Sequence, residues 1–174
     1  MNETLLSPNY KLFLSLLNAK QVEYLLVGGF AVRYYGYLRA TQNLDIWKAP
    51  HPDSAAKLVE VCQGFGSGVE GLMLDAFLHE RRLIRIDIPP QSFEILDPIV
   101  GQKPEVLTRL IGKRTDRIEI LTIQSSVNFV ECFPDRVKGV IDGIGLNIIS
   151  LNHLKVIKLA AARHQDLLDL EHLP

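Results

Sequence analysis

The chain has 174 residues, 47% hydrophobic and 22% charged, with a formal net charge of −1. This length favours a single domain, residues 1–174, that needs no disulfide or metal to hold its core, and the composition excludes a largely disordered chain. Lacking a basic excess, it does not read as a dedicated double-stranded DNA binder; its two cysteines suit a reducing compartment, and no signal-peptide order or bilayer-length apolar run is visible, so a cytoplasmic domain without membrane contact is expected.

In chain order, Ser7-Pro8 is a helix start, and Leu12, Phe13, Leu16 and Leu17 recur at helical spacing, predicting a helix over 8–20. Tyr24 to Val27 is a short apolar run that reads as a buried strand. Gly28-Gly29 breaks it, a helical pattern resumes from Phe30 to Tyr35, and Gly36 ends that helix. Asn43 to Trp47 is a second strand, stopped by Pro50 and Pro52. A helix then carries Leu58, Val59, Cys62 and Phe65 along one stripe, and a glycine-rich loop covers 64–71. Gly66, Gly68 and Gly71 spell G-x-G-x-x-G, but the motif follows a helix rather than a strand, so the dinucleotide-binding context is missing.

Strand signals at Leu83–Ile88 and Phe93–Ile99 form a hairpin around Pro89-Pro90. Val106, Leu107 and Leu110 suggest a short helix, and Ile118 to Ile123 a β-branched strand. Asp142-Gly143 between two apolar runs is a hairpin signature. A long helix over 151–170, capped by Ser150 or Asn152, closes the chain. The expected fold class is α/β, in the α+β sense: a mixed sheet flanked by helices.

The chemistry concentrates between Val27 and Trp47. A strand ending in two glycines before a helix lets a phosphate approach backbone N–H groups at the helix start. Asn43 and Asp45, two apart on one strand, leave the same sheet face. Oxygen donors beside a phosphate cradle are half of a magnesium–triphosphate site.

These residues resemble the nucleotidyltransferase superfamily of the DNA polymerase β-like fold, and more narrowly the small bacterial members related to abortive-infection toxin nucleotidyltransferases. Gly28 and Gly29 match the family's Gly-Gly, and Gly36, Arg39 and Thr41 match its Gly-x-x-Arg-x-Thr. Asp45 matches the second aspartate of its Asp-x-Asp. Ile88-Pro89-Pro90 followed by Glu94 is similar to the segment bearing a third carboxylate on a later strand. The run from Lys158 through Arg163 and Asp166 to Asp169 resembles the family's C-terminal helix.

The resemblance implies transfer of a nucleoside monophosphate from a nucleoside triphosphate to a hydroxyl acceptor, whether transfer RNA, protein or small molecule. It assigns Asp45, Glu94 and Asn43 to catalysis and to Mg2+ (or Mn2+). Gly28, Gly29, Arg39, Thr41 and Lys158 fall to the nucleotide. Asp87 competes with Glu94 for the third carboxylate, and Arg39 either meets phosphate or neutralises Asp45.

Three departures stand out: Asn43 replaces an acidic ligand, Glu94 is one methylene longer than aspartate, and 102–127 reads as an insertion before a family strand resumes at Phe129. Asn43 also supports an alternative reading, a non-catalytic nucleotide-binding protein or toxin–antitoxin partner that keeps the fold. For Asp166 and Asp169 a surface ion pair with Arg163 competes with a role in the site.

Overall fold

The computed structural model describes residues 5–66, 74–78, 83–87, 93–96, 116–124 and 126–174. Helix α1 (Pro8–Ala19) begins where Ser7 accepts a hydrogen bond from the Tyr10 N–H and Pro8 fills the first turn. It buries Tyr10, Phe13, Leu14 and Leu17, spaced i, i+3, i+4, i+7. The buried stripe is therefore rotated from the one expected: Leu12 is exposed and Leu16 only half-buried.

Strand β1 (Tyr24–Val27) is followed directly by α2 (Gly28–Tyr34), then by β2 (Asn43–Lys48), α3 (Pro52–Phe65) and α4 (Leu74–Leu78). Gly28 and Gly29 thus form the first turn of α2 rather than a break before it. Strands β3 (Leu83–Asp87) and β4 (Phe93–Leu96) make the expected antiparallel hairpin. The expected helix near Leu107, and the glycine-rich stretch beyond Gly66, lie outside the described residues.

Strand β5 (Arg117–Leu121) falls within 102–127, the stretch read as an insertion, of which residues up to 115 lie outside the described ones. It is a central strand, parallel to β2 on one side and antiparallel to β3 on the other. Its alternation of buried Ile118 and Ile120 with half-buried neighbours is the mark of a sheet interior. Phe129, expected to resume a strand, instead starts the short helix α5 (Phe129–Cys132), capped by Asn128.

Strands β6 (Val137–Ile141) and β7 (Ile144–Ile148) form the second hairpin. Asp142 and Gly143 both have positive φ, as a two-residue loop of this hand requires. The described strands make one seven-stranded sheet in the order β4-β3-β5-β2-β1-β7-β6, mixed in direction and flanked by helices.

The predicted helix over 151–170 is two helices, α6 (Leu151–Ala161) and α7 (His164–His172). Ser150 caps α6, and Ala162 turns the chain through a left-handed conformation with φ of 49°. Asp166 then caps the start of α7, its carboxylate accepting from the Arg163 backbone N–H and Nε. Nothing in Lys-Leu-Ala-Ala-Ala opposes a continuous helix, so tertiary ion pairs, described below, override local propensity.

At one end of the central strands Trp47 meets Phe129 edge-on and Phe129 stacks on Phe133, while Tyr10 meets Phe30 edge-on at the other. The Tyr10 hydroxyl donates to the Gln42 and Arg117 carbonyls and accepts from the Arg117 N–H. One buried side chain on α1 thereby fixes the starts of β2 and β5 against each other. Among the described residues, no helix is long and apolar enough to cross a membrane.

Candidate active site

Where β1 hands over to α2, at the Tyr10 end of the central strands, a cleft of about 360 Å³ opens. Its walls include Gly28 and Gly29 of α2, Arg39 and Thr41 of the following loop, Asn43 and Asp45 of β2, and Lys158, Arg163 and Asp166 from the C-terminal helices. All the residues that the sequence assigned to catalysis, metal or nucleotide, except Glu94, therefore share one cavity. Asn43 and Asp45 project from the same face of β2, while Leu44 between them is buried.

Close packing explains both glycines. Gly28 has φ of 66°, and a Cβ there would lie 2.8 Å from Asp45 Cγ, inside contact distance. A Cβ on Gly29 would stand 2.7 Å from Thr41 Cβ. The start of α2 thus presses its bare backbone onto Asp45 and Thr41. No side chain caps that first turn, and both glycines line the cleft, where uncapped N–H groups are potential anion donors.

Glu94 is not brought to Asp45. The register runs Asp45–Glu119–Arg85–Glu94 across β2, β5, β3 and β4, which separates the backbones of Asp45 and Glu94 by roughly 14 Å at the usual strand spacing. Asp87 pairs with Arg117, in the row of Asn43. The carboxylate beside Asp45 is Glu119, because β5 inserts between β2 and the β3–β4 hairpin. A signal for it existed: Ile118-Glu119-Ile120 repeats the pattern of Leu44-Asp45-Ile46, an acidic residue between buried aliphatics.

Asp45 and Glu119 form a tight acidic pair. Burial raises the Asp45 carboxyl well above its ordinary range, and repulsion by Glu119 and a hydrogen bond between the two carboxyls raise it further. Lys158 and Arg163 pull it partly back. A hydrogen bond between two carboxyls requires a proton on one of them. Glu119 also holds Arg85, with Nη2 3.0 Å and Nε 3.1 Å from its Oε1. No cation among the described residues comes within ion-pair distance of Asp45.

Arg39 and Lys158 are engaged differently from expectation. Arg39 forks onto Asp169, with Nε 2.6 Å from Oδ1 and Nη2 2.9 Å from Oδ2. Lys158, buried in α6, bridges Asp166 at 3.0 Å and Asp169 at 2.8 Å. Arg163 completes the cluster from a largely exposed position, its Nε 2.7 Å from Asp166 Oδ2.

Burial alone would raise both aspartates. Hydrogen bonds outweigh it: Arg163 and Lys158 hold Asp166 below the ordinary range, and Arg39, Lys158 and Gln165 hold Asp169 at about 2. Asp166 and Asp169 are therefore buried anchors of the cleft wall rather than members of a surface pair. Neutralisation of Asp45 comes from Lys158 and Arg163 at longer range, not from Arg39.

Among the described residues no cluster of three or more His, Cys, Asp or Glu is arranged to hold a metal ion. The donors on hand are two carboxylates and the Asn43 amide, all hard oxygen ligands of the kind magnesium and manganese prefer. A buried carboxyl crowded by a second carboxylate, with no cation among the described residues at ion-pair distance, fits a divalent ion. No protein-family model matches the chain, and no curated protein is similar to it.

Proposed function

We propose that the chain is a metal-dependent nucleotidyltransferase of the DNA polymerase β-like fold, transferring a nucleoside monophosphate from a nucleoside triphosphate to a hydroxyl acceptor. The observation that carries this reading is Asp45, which lines the cleft with the glycine-started helix and three cations and has Glu119 beside it on the next strand. Glu119, on a strand later than Asp45 and adjacent to it, takes the third-carboxylate role that the sequence suggested for Glu94. The fold, with its mixed sheet and βα entry into the site, is compatible with the resemblance.

In this reading Asp45 and Glu119 would hold Mg2+ or Mn2+, with the Asn43 carbonyl as a neutral third donor. The ion supplies charge neutralisation at the phosphate oxygens. The backbone N–H groups at the start of α2 receive the triphosphate, while Thr41 lines the same wall. Lys158 and Arg163 offset the charge that gathers on the phosphate side. An oxygen of the acceptor bonds to the α-phosphorus as the bond to pyrophosphate breaks, and a carboxylate of the acidic pair takes the acceptor's proton. Positioning and electrostatics do most of the catalytic work in phosphoryl transfer.

Asn43 favours the second reading, a binding protein that keeps the cleft without turnover, because a neutral amide attracts a divalent ion less than a carboxylate does. The test is incubation of the full chain with labelled nucleoside triphosphates, Mg2+ or Mn2+, and cell extract. A labelled product that disappears in Asp45→Asn and Glu119→Gln supports transfer. Metal-dependent nucleotide binding with no product supports the binding protein.

A further inference from the structure

The far end of the same strands carries a second cavity that the proposed reaction does not use. Its volume is about 310 Å³, and Trp47, Lys48, Phe77, Thr122, Asn128 and Phe129 are among its walls. The size is that of a small-molecule site. Lys48 is 2% exposed, and its ammonium has no carboxylate partner among the described residues. One of its three donors goes to the Ala49 carbonyl at 2.6 Å. Burying an unpaired ammonium beside aromatic rings is costly to a fold.

We propose that this cavity is a binding site for a small aromatic carboxylate, with the Lys48 ammonium meeting the carboxylate and the rings of Trp47, Phe77 and Phe129 walling its body. The class follows from the lining. A single unpaired cation matches a single negative charge, and three aromatic walls favour a planar apolar body. Asn128, exposed at the margin, adds a polar edge. A bound anion would supply the partner that the fold withholds from Lys48. Burial lowers that amine to about 8, so at neutral pH it is still mostly charged and able to pair.

The chain's one tryptophan is Trp47, so its fluorescence reports this cavity directly. Full-length protein is titrated with benzoate and with the neutral isostere benzamide, following Trp47 emission and confirming affinities by calorimetry. The expected result is saturable binding of benzoate, roughly tenfold tighter than benzamide, the usual scale of one charge-assisted hydrogen bond. Lys48→Met should abolish that preference and Lys48→Arg should keep it, while nucleotide binding in the acidic cleft stays unchanged.

Equal affinities for the two probes, a preference that survives Lys48→Met, or no saturable change up to about 10 mM, the weak end of small-ligand affinity, would overturn the proposal. If Lys48→Met does not fold, the benzoate-to-benzamide ratio in the parent and in Lys48→Arg decides the matter.

Discussion

Two charge clusters meet at the cleft, and they are built on opposite principles. On the helical side, Arg39 and Lys158 meet Asp166 and Asp169 in direct hydrogen bonds, with Arg163 closing the end. On the strand side, Asp45 and Glu119 lie against each other, and among the described residues only Glu119 has a direct cationic partner, Arg85. The first cluster is complete without a ligand; the second is short of positive charge. Buried ions stabilise a fold only when their partners are in place. The contrast separates a scaffold, which locks α6 and α7 onto the loop before β2, from the acidic pair that would take a cation in the proposed function.

The largest effect should come from breaking the balanced cluster. Asp169→Asn leaves Arg39 and Lys158 facing an uncharged amide, and removal of one partner from a buried pair typically costs about 3–5 kcal/mol. Denaturant unfolding should show that loss, and Lys158→Met added to it should recover part. A change below about 1 kcal/mol, the scale of exposed ion pairs, would mean that the cluster is no scaffold and that the contrast is mistaken.

Next in size is the response of the unbalanced cluster to one more charge. Asn43→Asp adds a third carboxylate to the same strand face. Without metal it should lower the melting temperature by crowding like charges; with Mg2+ or Mn2+ it should bind the ion more tightly and speed any transfer. A gain of about 3 kcal/mol in the transition state corresponds to roughly a hundredfold in rate. Parallel assays of both forms with all four triphosphates decide between the two functional readings. An aspartate form that binds metal no better than the parent would remove the main support for a transferase.

The two clusters should also depend on pH with opposite signs. Asp169 is held at about 2 when folded, against about 3.9 unfolded. Its stabilisation is fully present above pH 4 or so and is lost as pH falls towards 2, a change worth about 2–3 kcal/mol. Asp45 is raised when folded, so above about pH 3.9 the folded state holds a proton that the unfolded state has released. Stability therefore declines as pH climbs from there through the raised value. Unfolding free energies measured across pH should lose the acid-side fall in Asp169→Asn and the neutral-side decline in Asp45→Asn. Saturating metal should also remove the decline, because a bound cation favours the ionised Asp45 carboxylate. Parallel slopes in the two variants would refute the distinction.

What the sequence showed and what it hid divide along the same line. The glycine pair, Asn43 and Asp45 were legible because they sit within one short strand–turn–helix–strand passage, where period 2 and turn chemistry fix geometry locally. Glu119 was not, although its strand was: a motif spacing placed the third carboxylate at Glu94, and only sheet order shows that β5 slots beside β2. For Asp166 and Asp169 a surface pair and a role in the site both stayed open, because i, i+3 spacing says nothing about what packs onto a helix. Their burial depends on Arg39, 130 residues away from Asp169 in sequence. The core strands and hairpins followed hydrophobic pattern closely, yet α1 turned its buried stripe from Leu12 and Leu16 to Tyr10 and Leu14, since the Tyr10 hydroxyl has backbone partners on β2 and β5.

The smallest expected effect concerns the joint that lets the balanced cluster form. A continuous helix from Leu151 to Leu170 would satisfy the propensities of Ala160, Ala161 and Ala162, but it would not permit the observed α6–α7 joint. Instead the chain turns at Ala162, whose left-handed backbone costs an alanine about 1–2 kcal/mol, and the cap between Arg163 and Asp166 restarts the helix. Replacing Ala162 with glycine relieves the steric part of that cost while loosening the unfolded chain. The net gain should be about 1 kcal/mol or less, a rise of roughly 2–4 °C in melting temperature for a chain of this size. In an Asp169→Asn background the gain should shrink, because without its anchor the joint has less reason to stay bent and a straight helix competes. An equal gain in both backgrounds would show that the turn at Ala162 stands by itself, and that the ion pairs follow the bend rather than hold it.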